Sequence, residues 1–167
     1  MTHKFLSTIY AKFIPFERVS EKRNQISGTL IFTNGCFDLL HKGHLTYLAE
    51  ARDLGDVLWV GINSDASVKR LKGNQRPILG QDDRMFQLAS LEVVSFVTIF
   101  EEDTPIPLLQ NLQPSIHCKG GDYSLDSLPE KPIIESFGGK IVLLPFLKGN
   151  STSGIIEKIQ NLPGASP

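Results

Sequence analysis

His41 and His44 lie three residues apart in "FDLLHKGHLTYLAEA" (37–51), with Gly43 just before the second. The chain has only 4 histidines and 14 glycines, so its own frequencies give an expected chance count of about 0.008 for H-x-G-H. Chance is a poor source for the motif. Residues three apart on a helix share a face, so both imidazoles can address one group. Imidazole N–H groups donate hydrogen bonds to phosphate oxygens as charge builds on them. Gly43 leaves room for a flat or bulky group to approach the backbone. The chemistry to look for is the binding and polarisation of an anion. The competing reading is a pair of solvated or helix-capping histidines.

Such a pair works only if an element aims it. "TLIFTN" (29–34) is a β-branched and aromatic strand that ends in the loop signal "GCFD". Leu45, Leu48, Ala49 and Arg52 then fall on one helical stripe, closed by Leu54-Gly55-Asp56. The histidines therefore sit where a strand hands over to a helix. A helix start offers unpaired N–H groups and a partial positive charge, which attract phosphate.

The rest of the chain repeats this alternation. "DVLWVGI" (56–62) is a continuous apolar run, as expected for a strand buried on both faces. "DDRMFQLASLEVV" (82–94) reads as a helix with acids in its first turn, "SFVTIF" (95–100) as a strand, and "TPIPLLQNL" (104–112) as a short helix with its prolines near the start. "SIHCKG" (115–120) reads as a strand, "IIESFGG" (133–139) as a helix ending on glycine, and "KIVLLPF" (140–146) as a fifth strand. "STSGIIEKIQNL" (151–162) opens with capping hydroxyls and continues as an amphipathic helix. This order predicts an α/β fold with a doubly wound parallel five-stranded sheet. Ligands bind such sheets outside the carboxyl ends of the strands. The polar segments "NGCFD", "NSD", "EED", "KGGDY" and "KGNSTS" all collect there. Residues 1–25 read as an N-terminal arm, 26–162 as one domain and 163–167 as a tail.

Composition narrows the function classes. With 167 residues, 41% of them hydrophobic and 21% charged, the chain has the make-up of one ordinary globular domain. Lys+Arg is 17 and Asp+Glu is 18, a balance that argues against a broad nucleic-acid surface. No apolar run approaches the roughly 20 residues of a membrane span, and the N-terminus lacks the features of a signal peptide. Cys36 and Cys118 have no metal-ligand spacing, so free thiols in a reducing cytoplasm are expected.

On these residues the chain resembles the cytidylyltransferase-like nucleotidyltransferases, which carry H-x-G-H after the first strand and share a Rossmann-like fold. "FTNGCFDLLHKGHLTYLAEARDLGD", "GINSDASVKRLKGNQRPI", "FEEDTP" and "KGGDY" narrow the resemblance to one branch. That branch is the adenylyltransferase domain of the bacterial bifunctional ADP-heptose synthesis proteins, here in a stand-alone form. The resemblance implies transfer of AMP from ATP to heptose 1-phosphate, a lipopolysaccharide-core precursor step, with pyrophosphate released. It implies Mg²⁺ carried by the nucleotide phosphates, no protein metal site, a homodimer, and a separate heptose kinase in the same pathway.

Roles follow by position. His41 and His44 would contact the triphosphate, His44 as transition-state donor, with Lys72 of "RLKG" a third catalytic group. Thr33, Asn34, Gly35, Cys36, Phe37 and Asp38 would form the first nucleotide loop with Gly43. Lys119 and Gly120 would line the nucleotide pocket, and Ser151, Thr152 and Ser153 would bind triphosphate at a helix start. Asn63, Asp65, Arg84, Asp122 and Tyr123 would hold the substrate. Plainer readings stand beside several of these. Cys36 is a small buried thiol, Lys69 and Arg70 are a solvated charge run, Asp65 is a helix cap, and Arg84 pairs with Asp82 or Asp83 on the surface.

The chain also departs from its relatives. "FLKG" (146–149) lacks the arginine that some carry before the serine–threonine pair, where Lys148 stands close by. Thr46 occupies the position of a lysine in glycerol-phosphate enzymes, and "SLDSLPEKPIIES" differs from the form usual in the heptose branch. A CTP-dependent cytidylyltransferase of glycerol 3-phosphate or another phosphorylated alcohol, and a non-enzymatic nucleotide sensor or partner subunit, are the alternatives.

Overall fold

The computed structural model describes residues 4–121, 124–145, 147 and 149–163. Its strands are β1 (Leu30–Gly35), β2 (Val57–Asn63), β3 (Phe96–Phe100), β4 (Ile116–Gly120) and β5 (Lys140–Leu144). They form one parallel sheet in the order β3-β2-β1-β4-β5. The helices are α1 (Lys4–Tyr10), α2 (Val19–Arg23), α3 (Lys42–Arg52), α4 (Asp65–Lys72), α5 (Gln81–Ala89), α6 (Ile106–Leu112), α7 (Lys131–Ser136) and α8 (Thr152–Gln160).

Strand alternation divides the core into two layers. Ile31, Leu58, Val60, Ile62, Val97 and Cys118 face one side, where Leu48 and Ala51 of α3 and Leu88 of α5 cover them. Leu30, Phe32, Trp59 and Phe100 face the other, under Leu108, Leu109 and Leu112 of α6 and Ile134 of α7. Both faces of β2 are therefore buried, which is why its sequence is apolar without alternation. At Gly61 a Cβ would lie 2.9 Å from Leu108 Cδ2 and from the Phe32 ring, so any larger residue would make these buried side chains shift.

Three elements differ from the sequence reading. Lys69, Arg70 and Lys72, read there only as charged residues after the second strand, lie on a helix, α4, with Ser64 accepting the Ser67 N–H at its start. Helix α5 stops at Ala89, five residues short of the expected end, and turns bonded from Leu91 and Val94 lead into β3. The segment read as an arm packs on the domain: Phe13 bridges Val97, Ile14 N–H donates to the Val97 carbonyl at 2.9 Å, and Val19 is fully buried. Only its outer face stays open, with Phe5 83% and Tyr10 57% exposed.

The chain runs from β1 outward to β2 and β3, then returns to the other side of β1 for β4 and β5. The strand order thus reverses between β1 and β4, and the crevice that such a reversal opens is where ligands bind.

Candidate active site

A cavity of about 540 Å³ opens at that reversal. Its floor is the loop after β1, with Asn34, Gly35, Cys36 and Phe37. One wall is the start of α3, with His41, Gly43, His44 and Tyr47. Gly120 ends β4 beside it, and Leu147, Gly149, Asn150, Ser151 and Thr152 close it from the start of α8.

His41 is the N-cap of α3. Its Nδ1 accepts the backbone N–H of His44 at 3.3 Å. A nitrogen that accepts carries no proton, so the neutral ring holds its hydrogen on Nε2. Burial holds the His41 pKa below the ordinary histidine value, which favours this neutral form. His41 is thus a preset N–H donor at a helix start.

The two imidazoles stack, with centroids 3.8 Å apart and planes 19° apart. Phe37 packs against His44 from another side, 5.3 Å between centroids. Phe37 itself has φ 45°, a left-handed conformation in a non-glycine residue, which costs on the order of 1–3 kcal/mol and is held by its surroundings. Burial first, and then the neighbouring His41, push the His44 pKa down to about 4, while the Leu39 backbone favours the proton. Both histidines are therefore neutral at pH 7 before any anion arrives. Gly43 meets protein on both sides: a Cβ there would lie 3.0 Å from His41 Nδ1 and 3.2 Å from Asn150 Cβ. The room it leaves is filled by the stacked histidine and the α8 loop.

Helix α8 aims a second N-terminus at the same cavity. Ser151 caps it, accepting the Gly154 N–H at 3.0 Å. Thr152 lines the cavity beside it, and Ser153 is exposed. Two helix starts converging on one space, with neutral donors and no acid among the lining residues, suit a polyanion.

Several expected site residues serve the frame instead. Thr33 is buried, its hydroxyl 2.6 Å from that of Tyr47. Asp38 is buried beneath the loop, where its carboxylate accepts the N–H groups of Ile78 and Leu79 and pairs with Arg76 at 2.6 Å. Although burial acts the other way, those donors together hold the Asp38 pKa below the usual carboxylate value. Arg84 makes no surface pair with Asp82 or Asp83. It is fully buried and donates to the carbonyls of Leu79, Cys36 and Asn63 and to Asp65 Oδ1 at 2.8 Å. One guanidinium thereby ties the ends of β1 and β2 to the start of α5.

Asn63 and Asp65 do not join the histidine cavity either. Asn63 donates from Nδ2 to Ser67 and to the Glu102 carbonyl. Asp65 borders a separate depression shared with Asp82, Asp83 and Glu101, where a phosphorylated ligand would meet like charge. Lys72 is exposed at the end of α4, followed by Gly73 at φ 93°. Its charge reaches Cys36, as do those of Arg84 and Arg76, but burial outweighs all three and raises the Cys36 pKa. Cys36 is thus a half-buried thiol in the cavity floor. Lys69 is exposed, while Arg70 pairs with Asp103 at 2.7 Å. Asp122, Tyr123 and Lys148 lie outside the described residues.

The sequence reading missed Tyr47, Asn150, the half-buried Arg76 and the buried Glu130. Tyr47 had a signal, since it stands three residues after His44 on the same helix face. Among the described residues no group of three His, Cys, Asp or Glu could hold a metal ion. No helix among them is long and apolar enough to cross a membrane.

The parallel order and the cavity at its reversal point define a Rossmann-like α/β domain. A family model described as cytidylyltransferase-like matches residues 32–155, and the chain belongs to that family. It is 48% identical over 151 residues to the bifunctional protein HldE of Geobacter sulfurreducens, covering 90% of this chain and 30% of that protein. It is 52% identical over 155 residues to the bifunctional protein HldE of Helicobacter pylori strain G27, covering 93% and 33%. The chain thus spans about a third of the length of these curated relatives. Among solved structures, it is similar to the lipopolysaccharide core biosynthesis protein from Thermoplasma volcanium, at 27% identity and a TM-score of 0.61, covering 74% of this chain and all of that one.

Proposed function

We propose that this chain is an adenylyltransferase that moves AMP from ATP to heptose 1-phosphate, giving ADP-heptose and pyrophosphate. The observation that carries nucleotidyl transfer is the pairing of a tautomer-fixed His41 with the α8 N-terminus across one cavity. The acceptor is supported by the two HldE relatives, each about half identical over nine-tenths of the chain.

An oxygen of the heptose 1-phosphate attacks the α-phosphorus of ATP. A new P–O bond forms, the α–β anhydride bond breaks, and pyrophosphate leaves with the electron pair. The nucleophile belongs to the acceptor, so the chain's residues bind, orient and neutralise. The His41 Nε2–H and His44 would donate to the phosphates, and the first N–H groups of α8 would hold the leaving pyrophosphate. Lys72 would approach from α4 to offset charge at the transferred phosphoryl group. Mg²⁺ fits this site as an ion that arrives on the nucleotide, because the cavity lining has no carboxylates to cage it, and it would supply charge neutralisation there.

A kinase must supply the anomeric phosphate of the acceptor. The exposed Phe5 and Tyr10 support a homodimer, tested by light scattering on the full chain. The function itself is tested by pyrophosphate release with ATP or CTP against heptose 1-phosphate, other sugar 1-phosphates and glycerol 3-phosphate. ATP with heptose 1-phosphate should give the highest kcat/KM. CTP with glycerol 3-phosphate giving the highest value would overturn the substrate assignment, and no release with any pair would overturn the enzyme assignment.

A further inference from the structure

A second set of polar side chains lies where β1 and β4 part, separate from the histidine pair. Glu130 comes from "SLPEKP" and immediately precedes α7. Its side chain is 4% exposed, and its Oε1 accepts a hydrogen bond from Lys119 Nζ at 2.5 Å. Lys119 Nζ also donates to Asn34 Oδ1 at 3.4 Å. Asn34 lines the cavity; Lys119 and Glu130 do not.

The direction of this chain of contacts is fixed by chemistry. An ammonium has donors only, so the Asn34 amide must turn its oxygen toward Lys119. That leaves Nδ2, with two hydrogens, for the space Asn34 borders. Lys119 is held in turn by a buried carboxylate, and the pair carries no net charge. The end of the cavity at Asn34 is therefore neutral, unlike the side approached by Lys72.

We propose that Asn34 Nδ2 is a preset neutral donor to an oxygen or ring-nitrogen acceptor of the bound nucleotide or sugar phosphate, and that Glu130 is the positioning residue that fixes it through Lys119. This rests on the nucleotidyl-transfer reading above. It gives Lys119 a role different from direct phosphate contact, since its charge is already matched by Glu130.

Asn34→Asp separates the possibilities. The aspartate keeps an oxygen against Lys119 but replaces the donor with a negative charge, so Asn34→Ala, which removes the donor and adds no charge, is measured beside it and must show the same rise. The KM for ATP or for heptose 1-phosphate should rise about tenfold or more, with kcat changed less, on the scale of one hydrogen bond lost from a binding site. The parameter that rises identifies which ligand receives the bond. Glu130→Gln should raise the same KM, because the neutral amide holds Lys119 less firmly. A merely structural role would lower Tm in Glu130→Gln and leave both KM values at the wild-type level. Unchanged KM values in Asn34→Asp, or in Glu130→Gln if the first variant does not fold, overturn the proposal while wild-type turnover leaves nucleotidyl transfer standing. Wild-type protein that releases no pyrophosphate overturns both.

Discussion

His41 Nδ1 accepts the backbone N–H of His44 at 3.3 Å, so one histidine starts the helix that presents the other. The capping and catalytic readings of H-x-G-H are thus compatible in one ring. The cap uses Nδ1 and sets the tautomer, which leaves the Nε2 hydrogen for a ligand.

Substitution can separate those functions. His41→Asn keeps a capping side chain, and asparagine is among the best N-caps, so thermal stability should match the wild type. His41→Ala should lose about 1 kcal/mol. Both should lose turnover by about 10²-fold or more, the scale of one preorganised donor. Urea denaturation and pyrophosphate release on the two variants check this. An active His41→Asn enzyme would return His41 to a capping role alone.

His44 should take up a proton when nucleotide binds. Its pKa is about 4 in the free protein, so at pH 6 the ring is neutral. A polyphosphate beside it favours the imidazolium and raises that pKa toward the working pH. Calorimetry of ATP binding at pH 6, in buffers of different ionisation enthalpy, should show fractional proton uptake that His44→Gln abolishes. Folded His44→Ala should lose about 10²-fold or more in kcat.

Lys72→Ala should reduce kcat/KM more than Lys69→Ala. Of these two lysines, Lys72 is the one whose charge acts on Cys36 in the cavity floor. Steady-state kinetics decide it, and equal small effects would leave both as solvated charges.

Arg84→Met should destabilise the fold by about 3 kcal/mol, because it strands three carbonyls and the Asp65 carboxylate that the guanidinium joins. Chemical denaturation measures the loss. A near-neutral change would mean that water replaces the guanidinium at little cost.

His117 should make the fold acid-sensitive. Burial, then the charge of Lys119, push its pKa down to about 3, and neither ring nitrogen has a hydrogen-bond partner. Between that value and the ordinary 6.5 the unfolded chain binds the extra proton, so stability is full above about pH 6.5 and falls as the pH drops toward 3. At pH 5 the loss is on the order of 2 kcal/mol. Melting curves from pH 7 to pH 4.5 should show a smaller decline for His117→Phe than for the wild type.

The strands were legible because burial on both faces leaves continuous apolar runs, as in "DVLWVGI". The histidine pair and the Ser151 cap were legible because their signals are local. Helix α4 was hidden, since its buried residues Ser67 and Val68 leave little apolar stripe among four charged neighbours. Arg84 was hidden for a different reason. Its partners are carbonyls brought together from Cys36, Asn63 and Leu79, and no one-dimensional pattern marks a carbonyl as an acceptor. Asp38 and Glu130 escaped in the same way, because each is defined by a partner that arrives only when the sheet closes.

Helix α8 supplies one side of the cavity yet has no fully buried residue. The other side rests on β1 and α3, which are anchored in the main core. The two halves of the site therefore differ in how readily they open, since local opening is cheapest where few apolar groups are sequestered. A polyphosphate seated on the first turn of α8 binds only the closed form and would transfer part of its affinity into protection of that helix. Amide hydrogen exchange should then slow most across 152–160 when ATP is added, with little change across 42–52. A weakly anchored helix would then respond more than the core helix opposite it to occupancy of the cavity between them.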